Sequence, residues 1–443
     1  MRDLLVIGIM LAGAGYALHR PWVGVLFWTW VSIMNPHRYS YEASNLPLLA
    51  MVAVCTLIGV LVSRDKRSPF IGSPPVWLAV FMVWMSITTL FAFEPEKSYN
   101  LWNKVMKIDL MVLVTLMVLR TRFHIMLFAW VATFSVAFYG IKGGLFTIAT
   151  GGSYRVWGPT ASYIEGNNEL ALALVMAIPL IRFLQMRVAD RRLFHALTVA
   201  MVLCTASALG SHSRGALLAI VAMGLMLWWR GRAKLAGAVL MLLVAIGLLA
   251  FMPDHWFDRM NTISTYEQDA SAMGRINAWW MCYNLAKDNF FGGGFSIYTA
   301  QTFARYAPDP LAIHAAHSVY FQVLGEHGFV GLFIFLGIGF ATWRTAGWLR
   351  KHATDGPTRW CGDLGGMIQV SMAGFAIGGA FLSLAYFDFI YDVMIMAGFG
   401  ERWGEGRLLG EGAPAPGGET LGQGGTGVAG LNREPSLSSG RLA

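Results

Sequence analysis

Long apolar runs separated by short polar junctions dominate this chain. They fall at about Leu4–Leu18, Pro21–Met34, Leu46–Val62, Val76–Phe93, Val105–Leu119, Phe123–Ala149, Glu169–Met186, Leu193–Leu209, Gly215–Trp229, Leu235–Met252, Ser318–Ala341, Leu364–Ala385 and Ile390–Phe399. The long ones approach the ~20 residues a helix needs to cross a hydrocarbon layer. No run alternates with the period of a strand, and backbone in lipid must satisfy its own hydrogen bonds, so the runs predict helices. The expected fold class is an all-α integral membrane protein with about twelve transmembrane helices. The first two runs are either two crossings, with Met1 outside, or one broken span with the amino terminus inside, which gives twelve. Ile390–Phe399 is short for a full crossing.

One long water-compatible interval interrupts this pattern, from Pro253 to Ala316. The chain divides accordingly into a helical membrane region over 1–252, a polar loop over 253–316, a second membrane region over 317–400 and a tail over 401–443. The tail is rich in Gly, Pro and Ser and reads as disordered. A cleaved signal peptide is not expected, because apolar spans follow Ala12-Gly-Ala14-Gly at once.

Composition agrees with the pattern. Apolar residues make up 56% of the chain and charged residues only 13%, with a mean hydropathy of +0.53. A soluble domain carries about a quarter charged residues. The four cysteines, Cys55, Cys204, Cys282 and Cys361, are scattered singly, which supports neither a disulfide framework nor a metal site. A net charge of +8 raises nucleic acid as a partner, but the basic residues sit in short clusters between apolar runs. That is the pattern of cytoplasmic membrane loops. No nucleic-acid partner is predicted.

Those clusters set the orientation. Arg64–Arg67, Arg120–Arg122, Arg187–Arg192, Arg230–Lys234 and Arg344–Lys351 occupy alternate junctions, which belong inside. The other junctions, Phe93–Lys104, Thr150–Asn168, Gly210–Arg214 and the 253–316 loop, then face outward. Arg214 and Arg275 are basic residues on the disfavoured side, where an anionic ligand would supply a partner.

Four outward elements could converge. One runs from Arg155-Val-Trp-Gly158 to Glu165-Gly-Asn167-Asn168 and enters a helix; a second is Ser211-His212-Ser213-Arg214-Gly215. A third, Gly274-Arg275-Ile-Asn277-Ala-Trp279, is followed by Gly292-Gly-Gly294, and the fourth runs from His314-Ala-Ala-His317 to Glu326-His327-Gly328. Helix amino termini favour anions, and guanidinium forks suit phosphate. Two or three arginines beside one histidine describe a site that grips a pyrophosphate and moves a proton.

Plainer readings stand beside these. Arg155 is equally an anchor to lipid headgroups. His212, His314 and His327 read equally as interfacial or packed side chains. Glu326, inside a membrane helix, needs a partner, most simply a His or Arg. Glu94-Pro-Glu96 reads as a solvated loop, Asp388 and Asp392 as a structural pair near the outer surface, and Asp109 and Lys142 as lone charges.

These motifs resemble the O-antigen ligase family, whose wider superfamily includes O-antigen polymerases and protein O-oligosaccharyltransferases. The resemblance rests on Ser213-Arg214-Gly215-Ala, on Gly274-Arg275-x-x-x-Trp279 with its downstream glycines, and on His317 followed by Glu326-x-Gly328. It spans the chain to about Gly400. The amino-terminal part, including Trp30-Val-Ser-Ile-Met-Asn-Pro-His37-Arg, is similar to the O-glycosylation ligases associated with exosortase systems. Where the family often has Asn after the histidine, this chain has Ser318.

The resemblance implies a GT-C-like glycosyltransferase of the bacterial inner membrane, active on the periplasmic face. It would move a glycan from undecaprenyl pyrophosphate to a hydroxyl of lipid A–core, with inversion. His317 would be the general base; Arg214, Arg275 and Arg155 would bind the donor; Glu326, His314, Asn168 and Ser213 would support them. No Asp-x-Asp pair occurs, so neither metal nor cofactor is expected, and the chain would work as a monomer among membrane lipids. Other readings are a polymerase or protein ligase of the same superfamily, an exosortase-like transpeptidase using Cys282, and a polysaccharide or lipid transporter. The transporter predicts charges at mid-membrane rather than at one face.

Overall fold

A computed structural model describes residues 2–39, 43, 46–63, 67–70, 72–231, 234–261, 269–354 and 356–408. The tail over 409–443 lies outside the described residues. The described residues form helices and no strands. In chain order these are α1 (Arg2–His19), α2 (Pro21–Met34), α3 (Leu48–Val62), α4 (Ser73–Leu90), α5 (Pro95–Val118), α6 (Arg122–Ala149), α7 (Asn167–Gln185) and α8 (Arg191–Gly210). There follow α9 (Arg214–Arg230), α10 (Lys234–Phe251), α11 (Asp254–Asn261), α12 (Ala270–Asp288), α13 (Ala300–Tyr306), α14 (Val319–His352), α15 (Arg359–Gly378) and α16 (Asp388–Leu408).

Five of the helices, α4, α6, α7, α8 and α14, meet both the length and the apolarity of a membrane span; α1, α2 and α3 are shorter apolar helices. The molecule is a multi-pass helical membrane protein. The first two apolar runs are separate helices joined at Arg20. A Cβ on Gly13 would meet Phe27, and one on Gly24 would meet Ala17, so α1 and α2 run antiparallel. Gly59 of α3 lies in turn against Ala17 and Pro21. The single broken span is therefore corrected to two helices. Helix α16 also continues to Leu408, past Gly400 where the tail was expected to start, and has 21 residues rather than the short apolar core alone.

Local chemistry explains the boundaries. Asp190 caps α8 by accepting from the Arg192 and Leu193 amides, Thr121 caps α6 and Ser213 caps α9. Proline opens α2 and α5, where a missing N–H costs nothing. Small residues let helices close on one another in lipid, where apolar surface alone gives no preference for protein over tails. Gly140, Gly143 and Gly144 of α6 meet Cys204, Ser207 and the Leu203 backbone of α8, and a Cβ at Gly144 would come within 2.2 Å of the Leu203 carbonyl oxygen.

Helix α7 is the axis of the bundle. Every residue from Leu170 to Leu184 except Arg182 is buried, and its neighbours are α6, α8, α9 and α15. The loop between α10 and α14 covers one end, here called the loop end. It has a small core of its own, formed by Ala278, Met281, Cys282, Leu285, Ile297, Phe303, Tyr306 and Ala316.

Candidate functional site

The loop is pinned to α14 through glycines. Gly293 and Gly294 donate backbone hydrogen bonds to the carbonyls of Gly325 and Glu326, each at 2.9 Å, and the Gly293 carbonyl accepts from the Phe93 amide. Gly292 has φ +72°, and a Cβ there would sit 2.7 Å from Glu326 O and Gly328 N. Gly328, at φ 69°, breaks the helical path of α14 beside the Phe290 carbonyl. The two glycine motifs singled out in the sequence are thus two sides of one backbone joint. Trp84 of α4 uses the kink by donating to the His327 carbonyl at 2.8 Å.

From that joint, α12 reaches back across the bundle to α9. Asp269 caps α12 by accepting from the Ser271 amide at 2.8 Å, and its second carboxylate oxygen lies 2.5 Å from Nη1 of Arg214. Both side chains are mostly buried. Burial raises the Asp269 carboxyl, but the Arg214 guanidinium and the amides of Ser271 and Ala272 more than offset this and hold it below the usual carboxylate value. Arg275, in the second turn of α12, donates to the Phe381 carbonyl at 3.5 Å.

Arg214 and Arg275 line one cavity of about 290 Å³, with Gly215, Leu218, Ala272, Ile276, Trp279 and Phe381. Its polar groups are cationic and its walls apolar. Trp279 joins it to the next element by donating to the Ala316 carbonyl at 2.7 Å, the residue before His317. His317 has φ 44°, a left-handed conformation that costs a non-glycine residue about 1–2 kcal/mol. The turn carries its Nδ1 to 3.6 Å from Oε1 of Glu169 in the first turn of α7. The carboxylate thus faces the ring at ion-pair distance.

Glu169 is a functional candidate that the sequence reading passed over. It sits at the third position of α7, from which an acid commonly reaches back to the helix cap. A Cβ on the cap residue Gly166 would fall 2.0 Å from Oε2 of Glu169. The signal was available in Gly166-Asn-Asn-Glu169, where an acid opens an otherwise apolar helix.

The other expected residues divide. Ser213 caps α9, and its neighbour Ser211 accepts through its backbone carbonyl from the Asn167 side chain at 2.7 Å, which ties α7 to the α8–α9 turn. Asn168 lies in the first turn of α7 beside Glu169. Arg155 is exposed and does not line the arginine cavity. His314 covers Gly274 on another face of α12, in a separate cavity of about 800 Å³ that contains neither arginine. Glu326 is buried but takes its hydrogen bond from the Tyr386 hydroxyl at 2.6 Å, not from a His or Arg. His327 packs against Phe81 and Phe295 and shares a hydrogen bond with Thr88 at 2.7 Å, so it belongs to the core.

Three further sets of residues are placed by the structure. Asp388 and Asp392 are buried one turn apart on α16, and the Asp388 carboxylate accepts from Ser32. Asp109 is fully buried with no hydrogen-bond partner for either carboxylate oxygen among the described residues, and Lys142 lies 5.8 Å over the Tyr39 ring. Cys282 is fully buried with its sulfur 4.0 Å from the Tyr298 hydroxyl, and burial pushes the thiol well up. A raised, shielded thiol makes a poor nucleophile.

Two families match the chain. Residues 199–336 match a family described as O-antigen ligase, and residues 1–189 match a family of unknown function, DUF5935. No curated protein matches it.

Proposed function

We propose, from the match of residues 199–336 to the O-antigen ligase family, that the chain transfers a glycan from undecaprenyl pyrophosphate to a hydroxyl of lipid A–core. The reaction would take place at the loop end of the bundle, on the periplasmic face of the bacterial inner membrane. The observation that carries this reading is the cavity shared by Arg214 and Arg275. Guanidinium groups pair with pyrophosphate oxygens, while Leu218, Ile276, Trp279 and Phe381 offer a surface compatible with the first isoprene units.

In this mechanism His317 takes the proton of the acceptor hydroxyl as its oxygen attacks the anomeric carbon from the face opposite the leaving group. A new C–O bond forms, the bond to pyrophosphate oxygen breaks, and undecaprenyl pyrophosphate leaves with the electron pair. The anomeric centre inverts. Glu169 holds the ring and stabilises the imidazolium. Arg214 and Arg275 neutralise charge as it grows on the leaving group, a role worth about 3–4 kcal/mol for a single well-placed donor in other enzymes. Because guanidinium groups supply that neutralisation, the reaction is proposed to proceed without a metal. The amino-terminal motif Trp30–Arg38 supports placing the protein in the exosortase-associated branch, working as a monomer.

Reconstitution tests this directly. Purified protein receives an undecaprenyl-pyrophosphate glycan with lipid A–core, a protein acceptor or free glycan offered in parallel. Transfer to lipid A–core, lost in His317→Ala and retained with a chelator, is expected. Elongation of the glycan instead would reassign the protein as a polymerase, and full transfer by His317→Ala would remove the base.

A further inference from the structure

A third cavity, of about 300 Å³, opens at the same end of the bundle, lined mainly by the amino-terminal half that matches a family of unknown function and closed by Phe387 and Asp388. Its walls come from α2 and the turn after it, from one face of α5, and from the Ala161–Tyr163 turn. Three cations border it: Arg38 after α2, and Lys104 and Lys107 one turn apart on α5. The same helix face adds the amides of Asn100 and Asn103.

Several features mark a prepared polar site rather than a seam between helices. His37 borders the cavity, is 6% exposed, and its Nδ1 has no hydrogen-bond partner among the described residues. The Tyr163 hydroxyl, on the opposite wall, is likewise buried and unpaired. Unsatisfied groups of this kind are costly unless something arrives to pair with them. Lys104 is held in place, with Nζ 3.8 Å above the Tyr163 ring. The one acid in the wall, Asp388, already accepts from Ser32.

Positive charge alone would suit any phosphate. Amides, a carboxylate and unpaired ring groups suit hydroxyls, and the faces of Trp28 and Tyr163 suit the C–H side of a sugar ring. The cavity also connects to the proposed chemistry by a short path. Ala161 is held at φ 57° by the Glu165 carboxylate, which accepts its amide at 2.8 Å, and the chain then passes Gly166 to Glu169 beside His317.

We propose that this cavity binds an anionic saccharide, a sugar bearing phosphate or carboxylate, and that it seats the acceptor. The role as acceptor seat rests on the glycan-transfer reading; the binding does not. Cations fix the charged substituent, amides and Tyr163 read the hydroxyls, and the Ala161–Glu169 segment relates the bound sugar to His317. The amino-terminal half would then choose what is glycosylated, while the other half grips the donor.

Calorimetry on the full-length protein in phosphatidylcholine nanodiscs tests this, with glucose 6-phosphate, glucose and inorganic phosphate as probes. Glucose 6-phosphate is expected to bind at least about tenfold more tightly than either fragment, since charge and hydroxyls are both read. Lys104→Gln with Lys107→Gln, and separately Asn103→Ala, should each weaken it about tenfold, while Arg214→Gln leaves it unchanged. Equal binding of glucose, or binding lost in Arg214→Gln but kept in the lysine variant, overturns the site. Abolition by phosphatidylglycerol in the nanodisc would assign the cavity to lipid headgroups and also overturn it. Absent binding with transfer intact removes this cavity alone; intact binding without transfer removes the glycosyltransferase reading and leaves the cavity.

Discussion

Arg214, the first residue of α9, lies 2.5 Å from the carboxylate of Asp269, the residue that caps α12. That ion pair joins a bundle helix to the loop and neutralises an arginine proposed to hold the donor. Asparagine caps a helix about as well as aspartate but carries no charge. Asp269→Asn should keep α12 folded while removing the charge that competes with an incoming anion for Arg214. We expect pyrophosphate to bind several-fold more tightly, with about 1–3 kcal/mol of stability lost. Thermal shift with and without pyrophosphate reads both, and weaker binding would contradict the assignment.

Acid provides an independent handle on the same contact. The Asp269 carboxyl is held below its usual value, so the pair contributes fully above the ordinary carboxylate range and is lost as pH falls through the lowered value. Spin labels on α9 and α12 should report one distance from pH 8 to about pH 5 and a broadened distribution only below about pH 4. In Asp269→Asn this transition should vanish. A transition persisting in that variant would point to another carboxylate.

Glu169 can be tested by two routes. Glu169→Gln keeps the shape and removes the charge facing His317. Gly166→Ala instead places a methyl group where Oε2 now sits, and because that oxygen ends a flexible side chain the carboxylate should yield rather than the helix. Both variants should fold normally and lower kcat about 10–100-fold, less than the roughly 10²–10⁴-fold that loss of the general base itself would cost, with little change in donor affinity. A loss confined to donor binding would show that Glu169 serves the pyrophosphate rather than the histidine.

Cys282 discriminates between reaction classes. It is buried, and its thiol is pushed up by that burial. Cys282→Ala should cost about 1 kcal/mol through the small void it leaves and should leave turnover within about twofold. Abolished turnover in a folded protein would favour a thiol mechanism.

Much of this architecture could be read from the chain, because membrane insertion forces helices and leaves its mark in long apolar runs. Arg214, Arg275 and His317 were legible as basic residues at helix edges, where charge needs a reason. Less visible were relations that depend on which helix is central. Glu169 stood at the boundary of an apolar run and passed as its polar margin; only the burial of α7 on all sides shows that it lies over the axis of the bundle. Glu326 was expected to meet His or Arg, but the kink at Gly328 and the return of the chain after α15 bring Tyr386 instead. His314 and His317, three residues apart, part company: His314 covers Gly274, whereas the turn at His317 brings its ring to Glu169.

The joint at Gly292–Gly294 has a mechanical consequence. Its bonds are backbone to backbone, so neither pH nor an arriving anion competes for them, whereas the opposite end of α12 is fastened by charge. Helix α12 is thus a cantilever, clamped at one end and latched at the other. In the proposed reaction, an anion that took Arg214 from Asp269 would undo the latch and leave the clamp in place.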